Sequence, residues 1–267
     1  MSDVLEVRTD GRLRVMRLNR PERKNALDRE LIDALHRAFR DAAADDDVWA
    51  VALTGNGDGF CSGLDFSEQA VSGSGPASGD EAPPPRTGGG AHLTVVMRVE
   101  CEKPILAAVN GVAVGAGVSL ALNADIRIAA PSARFHPGYT RIGLSPDLGL
   151  TWTLPRAVGY ERAMRFMLEQ RMVPASEALA LGLVSEVVGR DEDLDERLLE
   201  YGTILASVAP MAARQTKRLM VRADQPADLV AHLDSEIELV MRALGSQDSA
   251  EALRAMQARE DPKFSGR

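Results

Sequence analysis

Apolar and polar positions alternate twice near the start of the chain, in Val4-Leu5-Glu6-Val7-Arg8 and in Leu13-Arg14-Val15-Met16-Arg17-Leu18. The period is close to two and Asp10-Gly11 lies between the runs, which predicts a β-hairpin. From Asp28, a good N-cap, Leu31, Ile32, Leu35, Phe39 and Ala42 recur at helical spacing. Val48 to Thr54 reads as a buried strand, closed by Gly55-Asn56-Gly57-Asp58-Gly59. A helix is expected from about His92 to Cys101. Residues 105–124 carry no charge and are long enough for a membrane span. Asn110, Gly111, Gly115, Gly117 and Asn123 interrupt them, and flanking aromatic anchors are missing. A buried strand, a glycine turn and a buried helix fit better. Strands are expected at Ile126–Ala129 and Ala133–Phe135. After Pro155 the spacing turns helical, over Val158–Glu169, Ala175–Leu181, Leu194–Ala206, Met211–Val221 and Leu229–Leu244. No repeat of fixed period is visible. Strand–helix units followed by helices predict an α/β core with a helical C-terminal region.

Residues 69–91 break the pattern: they are rich in Gly, Ser and Pro and poor in apolar side chains. They predict a mobile loop, either a plain insertion or a lid over a site. The chain has 267 residues, with Lys+Arg 31 against Asp+Glu 39 and a net charge of −8. That balance argues against nucleic-acid and anionic-membrane partners, so any polyanionic ligand needs local cations or backbone N–H groups. Two cysteines, Cys61 and Cys101, exclude a disulfide framework. With no apolar leader at the N-terminus and no lipidation or peroxisomal signal in the final FSGR, a cytoplasmic protein is expected.

Few chemical motifs survive inspection. Gly115-Ala116-Gly117 opens a helix after an apolar run, but Leu120 stands where a dinucleotide fingerprint needs its third glycine. No P-loop occurs. Ser62 lacks the glycine spacing of a nucleophile elbow, and His36, His92, His136 and His232 stand in no motif that supplies a base or a metal site. Packing is their default role. Two glycine turns remain, Phe60-Cys61-Ser62-Gly63-Leu64-Asp65 and Asn110-Gly111 to Gly117. They are either tight packing turns or sources of paired backbone N–H donors for a developing oxyanion.

Four segments resemble, in order, the signatures of the crotonase (enoyl-CoA hydratase/isomerase) superfamily. They are Arg20-Pro21-Glu22-Arg23-Lys24-Asn25-Ala26-Leu27, the 60–65 turn, Pro104 to Asp125, and Ala178-Leu179-Ala180-Leu181-Gly182-Leu183-Val184. The resemblance implies a ClpP-like spiral of β-β-α units over residues 1–200. It implies a helical trimerisation region over 201–267, and a homotrimer or dimer of trimers. It also implies an acyl-CoA thioester substrate with no further cofactor and no metal. By the matched positions the thioester oxygen accepts from the N–H groups of Leu64 and Ala116. Arg23 and Lys24 stand where the family contacts CoA. Ala26, Ser62, Gly63, Asp65, Gly115, Gly117 and Tyr139 complete the implied binding set, and Lys263 and Phe264 are implied contacts to a neighbour's nucleotide.

The departures from the family pattern bear on the reaction. Hydratases of the family use two glutamates; by register these fall at Ser119 and Tyr139. Neither is a general base near pH 7 without an activating partner. Asp147, in Pro146-Asp147-Leu148-Gly149-Leu150-Thr151-Trp152, resembles the acidic position of the ring-1,2-epoxyphenylacetyl-CoA isomerase-like branch. One carboxylate suffices to take a proton from one carbon and return it two carbons away. The expectation is an isomerase that shifts a double bond or rearranges an epoxide, with Asp147 catalytic and Leu64, Phe66, Tyr139 and Trp152 lining the acyl pocket. The alternatives are a hydratase with an altered acid/base set, a dehalogenase-like nucleophile at Asp147, and a non-catalytic acyl-CoA-binding protein. A plain helix cap is the structural alternative for Asp147.

Overall fold

A computed structural model describes residues 4–65, 90–139, 146–223 and 246–266. The chain opens on the expected hairpin, β1 (Leu5–Asp10) and β2 (Leu13–Leu18), paired antiparallel across Asp10 and Leu13. Helix α1 (Arg29–Ala44) starts where its sequence signals it: the Asp28 carboxylate accepts from the N–H of Leu31. Then come β3 (Ala50–Gly55) and β4 (Gly59–Cys61). Helix α2 (Gly90–Val95) runs into a π-helical turn at Val96–Glu100. Next are β5 (Ile105–Val109), β6 (Val112–Val114), α3 (Ala116–Leu122), β7 (Ile126–Ala129) and β8 (Arg134–His136). Of the 69–91 segment, Gly90 and Ala91 belong to α2, and the rest lies outside the described residues.

The strands sort into two sheets. One has the order β1-β2-β3-β5-β7-β10, parallel from β2 onward, with β10 at Glu186–Val187. The other has the order β4-β6-β8-β9, with β9 at Val173–Pro174. The long strands β3, β5 and β7 lie in the first sheet, and the short strand after each, β4, β6 and β8, lies in the second. A helix then returns the chain. This repeated β-β-α step is the spiral, although no sequence period marks it.

The central strands are buried on both faces, which explains their unbroken apolar runs. Val51, Leu53, Ile105 and Ala107 face the main core. Ala50, Ala52, Leu106, Ala108 and Ile128 face a second layer. The three alanines leave room for helix α7 (Leu194–Leu205), which packs through Leu194 and Leu198. Lys217 of α8 (Pro210–Ala223) is 6% exposed and reaches the core. It pairs with Asp125 at 2.9 Å and donates to the carbonyls of Met97 and Lys103 at 3.0 Å. The helix expected at 229–244 lies outside the described residues, and α9 (Gln247–Ala258), which the spacing does not single out, follows it.

One boundary differs from the sequence reading in a way that shapes the site. Helicity begins before Pro155. Helix α4 spans Leu150–Val158 with Pro155 inside it, and Gly159 at φ 84° separates it from α5 (Tyr160–Glu169). A proline inside a helix costs about 3 kcal/mol. Burial of Leu150, Leu154 and Val158 at spacing four offsets that cost. Helix α6 spans Ala175–Leu181, as expected. Among the described residues no helix is long and apolar enough to cross a membrane.

Candidate functional site

Three loops converge where β4 and β6 end. The first carries Arg20 to Leu27. Its carbonyls at Arg23 and Lys24 accept from the hydroxyl and the N–H of Ser62, at 3.0 and 2.9 Å. A short parallel bridge, Leu27 N–H to the Gly63 carbonyl and Asp65 N–H to the Leu27 carbonyl, then joins it to the second loop, 61–65. Asn25, fully buried, donates to the carbonyls of Asn56 and Gly59 and accepts from the N–H of Arg20. Asn110 reaches the same turn, accepting from Gly55 N–H and donating to the carbonyls of Gly57 and Gly59. Sequence reasoning assigned neither asparagine a role. A polar side chain retained among buried strands is the signal that finds them.

The third loop enters α3. Gly115 takes φ 54° and Gly63 φ 98°, so both turns need the left-handed freedom of glycine. The two loops touch: a Cβ on Gly63 would lie 2.8 Å from the Val114 carbonyl and 3.7 Å from the amide nitrogen of Ala116. Ala116 N–H is at the first turn of α3, where helical N–H groups lack intrahelical acceptors. Among the described residues no backbone carbonyl accepts from Leu64 or Ala116 N–H. Among the described residues, then, these two N–H groups lie on adjoining loops with no backbone acceptor, an arrangement that can hold an oxyanion.

Asp147 stands just before α4, its carbonyl 3.3 Å from Ser119 Oγ of α3. Leu148 at φ 48° and Gly149 at φ 70° form a left-handed turn behind it. Asn123, at the end of α3, donates to the carbonyl of Leu148 at 3.1 Å and so fixes that turn. The helix cap is Gly149; the Asp147 side chain caps nothing and instead accepts from the Tyr139 hydroxyl. Burial pushes the Asp147 carboxyl above its usual range, and the Tyr139 donor opposes that shift. Burial and the neighbouring Asp147 charge push the Tyr139 phenol well up, so it is a donor and not a base. Ser119, fully buried on α3, lies 3.1 Å from the Tyr139 oxygen.

The remaining predicted residues fall as follows. Ala26 is buried and its carbonyl accepts from Arg20. The Asp65 carboxylate pairs with the Arg20 guanidinium at 2.9 Å, which ties the first two loops together. Arg23 and Lys24 are exposed beside the site, and Lys24 pairs with Asp58. Gly117 lets α3 touch β4: a Cβ there would lie 2.0 Å from the Cys61 carbonyl. Burial pushes the Cys61 thiol up to about 12, so it is no nucleophile at neutral pH. Trp152 stands on the outward side of its helix. It is 40% exposed on α4 with Arg156 stacked 3.6 Å from its ring centroid, because Leu150, Thr153 and Leu154 hold the buried face of that helix. Phe66 lies outside the described residues. Lys263 is exposed near the C-terminus, its N–H donating to Glu251. His36 stands edge-on to His92, and His136 bonds to backbone groups of Gly138 and Gln170. Among the described residues no group of three potential ligands is placed to hold a metal.

A spiral of β-β-α units thus sets the 61–65 loop against the start of α3, with the half-buried Asp147 bonded to Tyr139. A profile of the enoyl-CoA hydratase/isomerase family matches residues 8–267, and the chain belongs to that family. It is 39% identical to a "Probable enoyl-CoA hydratase" of Rhodobacter capsulatus, over 96% of this chain and 95% of the relative. It is 36% identical to the "1,2-epoxyphenylacetyl-CoA isomerase" of Escherichia coli, over 94% of each. The crystal structure of a probable enoyl-CoA hydratase/isomerase from Mycobacterium abscessus superimposes with a TM-score of 0.86 at 32% identity, covering 99% of each chain. The fold is the crotonase fold, and the protein is an acyl-CoA enzyme of the hydratase/isomerase family.

Proposed function

We propose that this enzyme is a CoA-thioester isomerase that moves a double bond between the 3,4 and 2,3 positions, or rearranges an epoxide, through an enolate. The observation that carries the reading is the single carboxylate. Asp147, its pKa raised by burial, is bonded to Tyr139, whose ring lies 3.8 Å from a Cβ built on Gly115, while Ser119 and Tyr139 stand at the two positions where hydratases carry glutamates. Leu64 and Ala116 N–H groups would hold the thioester oxygen, each donor worth about 3–4 kcal/mol when removed. Asp147 would take the proton and return it two carbons away. The hydratase name of the Rhodobacter relative favours hydration as the second reading. A panel of 2-enoyl, 3-enoyl and aromatic CoA thioesters, followed by ultraviolet absorbance and mass, separates the two. Unchanged mass with a changed spectrum supports the isomerase, and addition of a water overturns it.

CoA would be anchored by Arg23 and Lys24, exposed cations on an otherwise acidic protein. Replacing both with alanine is expected to weaken CoA binding by roughly 1–2 kcal/mol, less at high salt. Titration calorimetry at two salt concentrations checks this, and equal affinity for wild type and double variant refutes it.

Large apolar side chains project from three helices: Tyr160 and Leu168 on α5, Ile204 on α7 and Met220 on α8, all at least half exposed. Such surfaces mark association sites. A homotrimer, or a dimer of trimers, is the assembly we propose, and light scattering at micromolar concentration is expected to show no monomer.

A further inference from the structure

A chain of hydrogen bonds leads from α3 to Asp147. Tyr139 donates to Oδ1 of Asp147, and Ser119 Oγ lies 3.1 Å from the Tyr139 oxygen. The direction follows from proton count. A phenol has one proton, here given to a carboxylate that has none, so its oxygen accepts from Ser119. Ser119 is fully buried and Tyr139 is 5% exposed, which keeps water from substituting for either. Ser119 Oγ also lies 3.3 Å from the carbonyls of Gly115 and Asp147, longer contacts that compete for the same proton. Among the described residues Oδ2 of Asp147 receives no side-chain donor.

Resting on Asp147 as the base, we propose that Ser119 and Tyr139 are positioning residues that hold Oδ1 and leave Oδ2 as the one oxygen that takes and returns the proton. In the first step an Oδ2 lone pair forms the O–H bond. The C–H electron pair moves into the enolate, and charge gathers on the thioester oxygen at Leu64 and Ala116 N–H. In the second step the enolate electrons form the new C–H bond two carbons away, and the carboxylate is restored. Tyr139 keeps its proton throughout. One oxygen handling both transfers means that the proton moves across a single face of the substrate.

The relay has a signature that mere packing lacks. Tyr139 favours the ionised carboxylate, burial disfavours it, and among the described residues Tyr139 is the titratable group acting on Asp147. Removing its hydroxyl therefore moves the Asp147 titration upward. The experiment is a carbon-13 NMR titration of aspartate-labelled protein, with the Asp147 resonance assigned by its loss in Asp147→Asn. Tyr139→Phe is expected to titrate about one pH unit higher than wild type, and Ser119→Ala about 0.3 unit higher. The acid limb of kcat/KM for 3-hexenoyl-CoA is expected to move with them. An unchanged midpoint in folded Tyr139→Phe overturns the relay. If that variant does not fold, an unchanged midpoint in Ser119→Ala does the same. Failure of the base assignment looks different: Asp147→Asn then keeps full turnover, and the catalytic role of the relay falls even where the Tyr139→Phe shift is present.

Discussion

Asp147→Asn is expected to lower the turnover number for 3-enoyl-CoA isomerisation by about 10²–10⁴-fold while thioester affinity stays close to wild type. Asparagine keeps the shape and still accepts from the Tyr139 hydroxyl, so the geometry around Tyr139 and Ser119 survives. Only the base is lost. The pH dependence of wild type follows from the same residue. Its carboxyl is raised by burial, so the acid limb of the activity profile falls at a higher pH than an ordinary aspartate gives. Stability carries the opposite sign. The folded state holds the Asp147 proton more tightly than the unfolded chain does. This group's contribution is therefore fully present below its unfolded pKa and is lost as pH rises through the folded pKa. Asp147→Asn removes that loss, so the variant should melt no lower than wild type at pH 7. Steady-state kinetics paired with a thermal melt checks both halves, and full activity in a well-folded variant would sink the mechanism.

Gly117→Ala is expected to be the most damaging single-methyl change in the molecule's active half. The added Cβ meets the Cys61 carbonyl oxygen at 2.0 Å and its carbon at 2.8 Å. Both are backbone atoms of β4, which cannot swing aside as a side chain would. Helix α3 must lift off the strand, and the loops carrying Leu64 and Ala116 N–H must part. The expected cost is about 3 kcal/mol or more, the upper end of overpacking. The melting temperature should fall by roughly 6–10 °C. Activity should fall at least about 100-fold, because the oxyanion donors no longer share one site. Gly11→Ala is the control. That glycine has φ 55° but nothing within 4 Å of a built Cβ. It should cost only the left-handed strain, about 1–2 kcal/mol, with activity intact. Equal melting and activity for Gly117→Ala and wild type would refute the close contact of α3 and β4.

Much of the local structure was legible. The hairpin register, the Asp28 cap, the Ile126–Ala129 strand and the Ala175–Leu181 helix follow from period, caps and turn residues, which act over a few neighbours. The two glycine turns were legible as alternatives, and the family resemblance leaned toward donors. The residues that hold them were not. Asn25, Asn110 and Asn123 look like loop asparagines until the chain folds and their amides meet carbonyls up to 53 residues away. The exposure of Trp152 was not legible for a related reason. Its neighbours Leu150 and Leu154 are buried instead, and an aromatic ring at a helix start carries no mark of which face turns inward.

By itself, then, the sequence determined the alternation of strands and helices, the absence of a carboxylate from both of the family's usual positions, and the glycines that permit two left-handed turns. Tertiary structure decided the rest. It split β3–β4, β5–β6 and β7–β8 between two sheets, which brings the 61–65 loop against Ala116. It placed the Tyr139 hydroxyl on Asp147, eight residues further on, with Ser119 behind it. Periodicity records which side of an element is buried, a sum over many apolar contacts that every window of the chain repeats. The meeting of three hydroxyl and carboxyl groups depends on a few directional bonds between distant segments, and their strength comes from burial that exists only once the whole spiral has closed.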